Sequence, residues 1–519
     1  MFGESLEEVY DGVGACSSQD GSTFLDLFDA DEYAECRVDN LYYPFTSKEE
    51  WEVADYLLHS SLSMAAIDEF LKLSMIQRLH LSFKNTKELR SRAEMLPSGP
   101  SWKCQTISSI HPTKYPIRLF WRDPVECLES LFSNPLFHDK LDFIPRRVYK
   151  TAEQLLHVYS EWLTGDSAWE MQTRLPRGAT VLSTVLSSDK TNITTMTGAR
   201  VAHPLLLGLS NICIKTSPFT MASYLQFGDN FWHPARTCSI TLGQLAGIMV
   251  NPDDLEAYFE ACADSRLNGV HAPFWMDWPL ADPSIFLTPE SLHHWHKEFY
   301  DHDLQWCIVV IGAQELDFRF SILQPTTGRG HRDIQCYIIG LISGAAPRHF
   351  VIAICVLMDL RYLAQCPAPD DNILACINQS LSTFHKHKDV ILTLGARMGT
   401  KKPIENWHIP KLELLQSITS STHKVGALIQ WSADATEHAH ISEIKEPARQ
   451  TNNNDYDPQI CRHLDQEEKL RHFAIATLLK NHPASHDPNL GPKTFLKRTT
   501  WTMEMNRKRT IREQHCSRT

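Results

Sequence analysis

Apolar residues recur at the spacing of an amphipathic helix over much of this chain. The segments with this pattern are 47–81, 124–132, 149–163, 252–263, 289–306, 332–344, 371–395, 433–444 and 465–480. Because positions i, i+3, i+4 and i+7 share one face of a helix, each segment predicts a helix with one buried face. Continuous apolar runs at 117–121, 179–186 and 201–214 instead predict β-strands, with Gly198 in the turn between the last two. The pattern therefore predicts a helix-rich, mixed α/β fold.

The length and composition are those of a globular protein with several structural units. Its 519 residues exceed one ordinary core, so two to four units are expected. Apolar residues make up 43% of the chain and charged residues 22%, as in soluble proteins. The 14 cysteines stand singly, without a CxxC pair. This usage favours free thiols in a reducing, intracellular compartment over a disulfide scaffold.

No segment predicts secretion or a membrane span. Residues 1–8 are acidic and lack the apolar core of a secretory signal. The apolar stretch 337–357 is interrupted at Pro347 and Arg348, so it predicts two buried helices rather than one span.

Charge is distributed unevenly. The formal net charge of −12 argues against a surface that is basic throughout, although a local basic groove can still attract phosphate. Basic residues crowd the last segment: Lys493, Lys497, Arg498, Arg507, Lys508, Arg509, Arg512 and Arg518. We interpret this segment as a solvated, partly disordered tail.

Asp189 follows the apolar run 179–186 directly after two serines. A buried strand that ends at a carboxylate can hold a metal ion, because the rigid strand end fixes the anion. The alternative is an aspartate that caps a turn, which is common where Ser, Asp and Asn cluster. Asp189 is therefore a candidate metal ligand of an enzyme that cuts phosphodiesters.

Glu437 is the second candidate and lies in a predicted helix. Glu437 and His440 are three positions apart, so a helix places them on one face. A carboxylate near the start of a helix that follows a strand, expected at 428–432, could reach a metal beside Asp189. The alternative is a capped helix with exposed charges.

A third candidate is the histidine-rich segment 292–303. His293 with His296, or His294 with Glu298, could bind zinc from one helix face. No cysteine stands at zinc-site spacing and the HExxH pattern is absent, so a packing and hydrogen-bonding cluster is the alternative. The chain also lacks a Walker loop, a dinucleotide fingerprint and a nucleophile elbow.

A series of short phrases connects these candidates to a known family. They are 96–100 (LPSGP), 122–129 (RDPVECLE), 187–192 (SSDKTN), 277–283 (DWPLADP), 315–321 (ELDFRFS), 410–414 (PKLEL), 430–440 (QWSADATEHAH) and 456–463 (YDPQICRH). In this order the phrases resemble the Plavaka transposases of fungal DNA transposons, which are related to the Kyakuja–Dileera–Zisupton group.

The resemblance implies an RNase H-like core with an Asp-Asp-Glu triad and a large helical insertion. It also implies Mg²⁺-dependent, or Mn²⁺-dependent, cutting and joining of DNA at transposon ends. These activities imply a nuclear location and allow an oligomer. By position, Asp189 matches the first catalytic aspartate and Glu437 the final glutamate. The role of the histidine-rich segment in the family is not implied.

One departure from the family concerns the second aspartate. Family members carry a strand that ends in Asp-Thr-Pro-Glu after the third core strand. Here residues 209–215 run directly into 216–220, so this strand and its aspartate are missing. A two-metal site that lacks one ligand loses a coordinating oxygen and a compensating charge. We therefore expect a transposase-derived chain with an incomplete core and no catalytic activity.

The resemblance also predicts a division of the chain. Residues 1–45 are expected to be a disordered acidic lead-in, 46–165 a helical region, 175–216 the first part of the core, 217–425 a mainly helical insertion, 426–480 the last part of the core, and 481–519 a basic tail. Two other functions stay open at this point. One is a non-catalytic DNA-binding or interaction protein, and the other is a zinc-dependent hydrolase that uses His293, His296 and Glu298.

Overall fold

Helices dominate the structure, with strands in small antiparallel sheets. The computed structural model describes residues 6–13, 22–60, 62–108, 116–137, 141–151, 153–188, 191–193, 201–209, 220–222, 226–265, 267, 269–288, 291–312, 328–451 and 455–481. The chain divides into two compact units. The first comprises Met1–Cys16, Asp142–Thr191 and Val201–His440, and the second comprises Ser17–Leu141, Asn192–Arg200 and Ile441–Thr519.

The first unit contains a helical core and most of the strands. Its strands are Leu6–Val9, Arg146–Tyr149, His157–Val158, Thr184–Ser188, Val201–Ala202 and Leu205–Leu209, and Thr191–Asn192 begins in it. Its α-helices are Asp166–Thr173, Cys238–Ala246, Leu255–Asp264, Pro283–Phe286, Leu304–Ile311, Gly328–Ile342, Arg348–Ala364, Asp371–His387, Asp389–Thr393, Pro410–Leu415, Ser417–Val425 and Asp434–Ala439. Short 3-10 turns are Trp162–Thr164 and Leu428–Trp431, and π-helical segments are Ser291–His296, Phe299–Asp303 and His440–Lys445, the last of which begins in this unit.

Large aromatic side chains fill the core of the first unit. Trp295, Phe299, Phe350 and Phe384 are fully buried there. The helices Arg348–Ala364 and Asp371–His387 pack against each other, and the Asp370 carboxylate caps the second by accepting from the backbone N–H of residue 373. These helices agree with the periodicity of the sequence.

The segment 149–163 is not the helix that its apolar spacing predicts. Arg146–Tyr149 and His157–Val158 are strands, and they extend the sheet begun by Leu6–Val9. The backbone N–H of Lys150 donates to the carbonyl of Leu156 and closes the hairpin. Pairing with a strand that is remote in sequence supplies the backbone hydrogen bonds that a local helix would otherwise provide.

The second unit is built on helices and one hairpin. Its helices are Phe24–Asp29, Ala34–Asp39, Lys48–His59, Met64–Leu71, Ser74–Gln77, Thr86–Ala93, Pro124–Ser133, Glu446–Arg449 and Tyr456–Asn481, with a 3-10 turn at Pro135–Phe137. The strands Lys103–Ile107 and Ile117–Trp121 pair antiparallel. Asp123 caps the helix after this hairpin, and Pro124 occupies its first turn.

Part of the expected lead-in is folded in this unit. Thr23 and Asp26 form a capping box at the start of the first helix. Phe28 and Phe45 are buried in the same core as Phe473 of the long helix Tyr456–Asn481. Because this segment is acidic overall, its apolar face was not recognised in the sequence. The long helix, which was expected in the RNase H-like core, packs here with the helices of residues 24–96.

For the apolar stretch 337–357, the sequence predicts two buried helices rather than one membrane span. Among the described residues, no helix combines the length and apolar character needed to cross a membrane. The stretch forms parts of two helices, Gly328–Ile342 and Arg348–Ala364, as the proline between them predicts.

Candidate active site

The strand that leads to Asp189 is Thr184–Ser188. It pairs antiparallel with Leu205–Leu209, with Ser188 opposite Leu205. A strand directly before Asp189 is therefore confirmed, whereas it begins at Thr184 rather than at residue 179. Asp189 itself lies outside the described residues. The further strands of an RNase H-like core stay a prediction.

Glu437 lies on the helix Asp434–Ala439, which continues as the π-helical segment His440–Lys445. Its side chain is half-buried, and its backbone N–H donates to the carbonyl of Ala433 at 2.8 Å. The segment before this helix is a 3-10 turn, Leu428–Trp431, and not the expected strand. Glu437 is thus placed by a helix, as predicted, but the element that precedes the helix differs.

A buried hydrogen bond joins the regions of the two candidate carboxylates. Thr191 Oγ1 and His440 Nδ1 are 2.9 Å apart. The two side chains are 5% and 3% exposed. Thr191 follows Asp189 by two residues, and His440 follows Glu437 by three. The structure therefore brings the chain just after Asp189 against the helical stretch that carries Glu437, across 249 positions of sequence.

The second nitrogen of His440 is also buried. Within the part of the chain that the structure describes, His440 Nε2 has no hydrogen-bond partner. A buried polar atom without a partner destabilises a fold by about 1–3 kcal/mol. The i, i+3 spacing of Glu437 and His440 is visible in the sequence, whereas the contact of His440 with Thr191 is not.

The donor atoms decide whether a metal fits this region. Carboxylate oxygens are the ligands that Mg²⁺ and Mn²⁺ prefer, so Asp189 and Glu437 suit such an ion in kind. The described residues, which exclude Asp189, contain no group of three or more His, Cys, Asp or Glu side chains placed to hold a metal. Two of the three implied carboxylates have a place in this sequence. Within the described ranges, the donors do not complete a two-ion site.

The histidine-rich segment directs its side chains to different partners. His296 Nδ1 lies 3.1 Å from Gln335 Oε1, and both side chains are buried. Glu298 instead pairs with Arg361. The side chain of His293 lies outside the described residues. Among the described contacts, His296 and Glu298 therefore act in packing and ion pairing, and this arrangement does not favour the zinc hydrolase.

Glu298, Asp303 and Arg361 form a buried triad in the core of the first unit. Arg361 is 1% exposed, and the two carboxylates are fully buried. Arg361 Nη2 donates to Glu298, and Arg361 Nη1 lies 2.8 Å from Asp303 Oδ2 as an ion pair whose angle falls outside hydrogen-bond geometry. Arg361 Nε also donates to the carbonyl of Trp295 at 3.3 Å. The triad ties the stretch 295–303 to the helix Arg348–Ala364.

The triad contains two carboxylates for one guanidinium. The pKa of Glu298 is raised to about 8: burial is the largest cause, the negative charge of Asp303 adds to it, and Arg361 opposes both. Burial also raises the pKa of Asp303. One carboxyl therefore keeps its proton near neutral pH, which leaves the buried group close to neutral. Arg361, near the end of the largely apolar helix Arg348–Ala364, was the sequence signal for this triad.

One protein-family model matches part of this chain. The family model described as Plavaka transposase matches residues 83–216 and 212–307. Over this region the chain is similar to the Plavaka transposases. The match includes Asp189 and the histidine-rich segment, and Glu437 lies outside it. No match was found among curated proteins or among solved structures.

The match to the Plavaka transposases comes in two segments that overlap at residues 212–216. The strand that ends in Asp-Thr-Pro-Glu in family members, and that is missing from this sequence, would be expected at this point of the chain.

Proposed function

We propose that this protein derives from a Plavaka-type transposase whose ancestral reaction is the metal-dependent cleavage and joining of DNA. An RNase H-like core carries Asp189 at a strand end and Glu437 on a helix, as two of three carboxylates that bind Mg²⁺ or Mn²⁺. The third is missing, and the chain has lost the reaction. An origin in the processing of chromosomal DNA places the protein in the nucleus.

The hydrogen bond between Thr191 and His440 is the observation that carries this proposal. It holds the chain two residues beyond Asp189 against the helical stretch of Glu437. Carboxylates of a metal site must lie within a few ångströms of one another on rigid backbone. A buried contact beside both candidates, made across most of the first unit's sequence, supports their convergence on one site.

Loss of the reaction follows from the donor set. In two-metal phosphodiester cleavage, the ions stabilise both the attacking and the leaving oxygen. Without the third carboxylate, the second ion loses a ligand and a compensating charge. The break of the family match at 212–216 supports a real gap at this position. DNA binding can outlast cleavage, because phosphate contacts need no metal.

A cleavage assay tests the proposed inactivity. The full chain is incubated with Mg²⁺ or Mn²⁺ and a duplex that carries the terminal sequence of the transposon encoding it. We expect no more nicking from the wild type than from Asp189→Ala. Nicking by the wild type that Asp189→Ala or Glu437→Ala abolishes would overturn the assignment as inactive.

A metal titration tests the site independently of activity. We expect Mn²⁺ titration followed by electron paramagnetic resonance to show one weak site in the wild type. Asp189→Asn and Glu437→Gln should each weaken it further. Glu170→Gln is the matched control, because Glu170 is an exposed carboxylate of the same unit on another helix. Unchanged Mn²⁺ binding in Glu437→Gln would remove Glu437 from the site.

A further inference from the structure

A groove on the second unit is lined by basic side chains from two helices. It has a volume of about 570 Å³. Its lining residues are Met64, Lys87, Arg90, Ser91, Glu94, Arg462 and Gln466. We call it the basic groove, after Lys87, Arg90 and Arg462.

Helix geometry turns these cations outward. Lys87 and Arg90 are three apart on the helix Thr86–Ala93, which places them on one face. The opposite face of this helix buries Leu89 in the core. Arg462 is exposed on the long helix, two positions after the buried Ile460, and that spacing places the two side chains on opposite sides of the helix. The core packing of both helices thus fixes where the three cations emerge.

The three cations lack carboxylate partners. Within the described part of the chain, Lys87, Arg90 and Arg462 form no ion pair, and Arg90 donates only to the sulfur of Met64, at 3.6 Å. The one acid of the groove, Glu94, is 3.1 Å from the ammonium of Lys469. The basic groove therefore carries net positive charge.

Several other exposed cations of the same unit are paired. Lys48 lies 3.7 Å from Glu52, and Lys72 lies 2.9 Å from Glu69. Arg471 lies 3.4 Å from Glu467. The basic groove brings together three cations that form no ion pair among the described residues, in a chain whose net charge is −12, so it is a local site of positive potential.

We propose that the basic groove binds the phosphate backbone of DNA. Two guanidinium groups can each donate two hydrogen bonds to one phosphate, and a lysine adds a point charge. Ser91 and Gln466 supply neutral donors beside them. A protein partner would favour a buried apolar or aromatic anchor at the centre of the contact, and Met64 is the only apolar side chain of this lining. The choice of DNA rests on the proposed function.

DNA binding at varied salt concentration tests this assignment. The triple variant Lys87→Gln, Arg90→Gln, Arg462→Gln removes the cations of the groove. The matched control Lys48→Gln, Lys72→Gln, Arg471→Gln removes three paired cations of the same unit and changes the net charge equally. Binding of the full chain to a fluorescent duplex is measured by anisotropy in EDTA, after circular dichroism has confirmed that both variants are folded.

The expected result is a change in the salt dependence. Loss of three phosphate contacts reduces the magnitude of the slope of log K against log salt by about 2.7. Between about 50 and 200 mM salt, the groove variant should therefore lose about 40-fold less affinity than the wild type loses. The control should keep the wild-type slope. Equal slopes in the groove variant and the control would overturn the proposal.

Two further outcomes separate the occupants and the two proposals. A fluorescent polyglutamate peptide that binds the wild type more tightly than DNA does, and loses binding in the groove variant, would assign the groove to an acidic protein instead. Because binding is measured without divalent metal, a failure here leaves the cleavage proposal untouched. Loss of the Mn²⁺ site with unchanged DNA binding would affect that proposal alone.

Discussion

Removing the guanidinium of the buried triad tests whether the triad holds the first unit together. The substitution Arg361→Met keeps an apolar side chain of similar length in the helix Arg348–Ala364. It leaves Glu298 and Asp303, both fully buried, without their cation. The two carboxyl groups must then either stay protonated or be buried as uncompensated charges.

The size of the effect follows from this burial. Breaking a buried ion pair by removing one partner destabilises a protein by about 3–5 kcal/mol. The hydrogen bond from Arg361 Nε to the carbonyl of Trp295 is lost as well. Since a domain is stable by only about 5–15 kcal/mol, we expect Arg361→Met to lower the free energy of unfolding of this unit by about 3–5 kcal/mol.

Urea unfolding followed by tryptophan fluorescence measures this loss. Trp295 and Trp306 lie in the same core as the triad and report on this unit. Arg348→Met is the control, because Arg348 is an exposed arginine on the same helix. The variant Arg361→Met, Glu298→Gln, Asp303→Asn should recover part of the loss, because it removes the buried charges. A loss below about 1 kcal/mol in Arg361→Met, or the same loss in Arg348→Met, would refute the reasoning.

Two other predictions concern pH and a glycine. The pKa of Glu298 is about 8 when folded against 4.5 as its ordinary value, so its proton stabilises the fold fully below about pH 4.5. This stabilisation should fall as the pH rises from about 4.5 to about 8, and the urea midpoints of Glu298→Gln should lack that dependence on pH. Gly426 has φ of +85°, and a Cβ there would lie 2.3 Å from the carbonyl oxygen of Glu161. In thermal unfolding, Gly426→Ala should cost about 2 kcal/mol or more, whereas Gly340→Ala, with open space around it, should be neutral or stabilising; equal effects would contradict this.

Local pattern was sufficient for most helices. The spacing of apolar residues predicted Asp371–His387, and the phrase Asp123-Pro124 marked the start of Pro124–Ser133. In each case the capping group and the apolar face lie within one segment, so no distant part of the chain is needed to specify them. The phrases that resemble Plavaka transposases are likewise local, and the family match confirmed that resemblance.

Contacts between distant segments could not be read in this way. The segment that holds the strand His157–Val158 was predicted as a helix, because the sheet joined by its hairpin begins at the remote strand Leu6–Val9. Arg361 could be recognised as a buried arginine, but nothing in the sequence paired it with Glu298 and Asp303. The basic groove combines cations from two helices that are far apart in sequence.

The amino-acid sequence determined the resemblance to the Plavaka transposases, most of the helices, and the choice of Asp189 and Glu437 as candidates, because each depends on residues that are neighbours along the chain. Tertiary packing determined that Thr191 meets His440, that three cations share one groove, and that Glu298 pairs with Arg361. Such contacts form where folding brings remote segments together and excludes water. The spacing of residues along the chain does not predict which remote segments will come into contact.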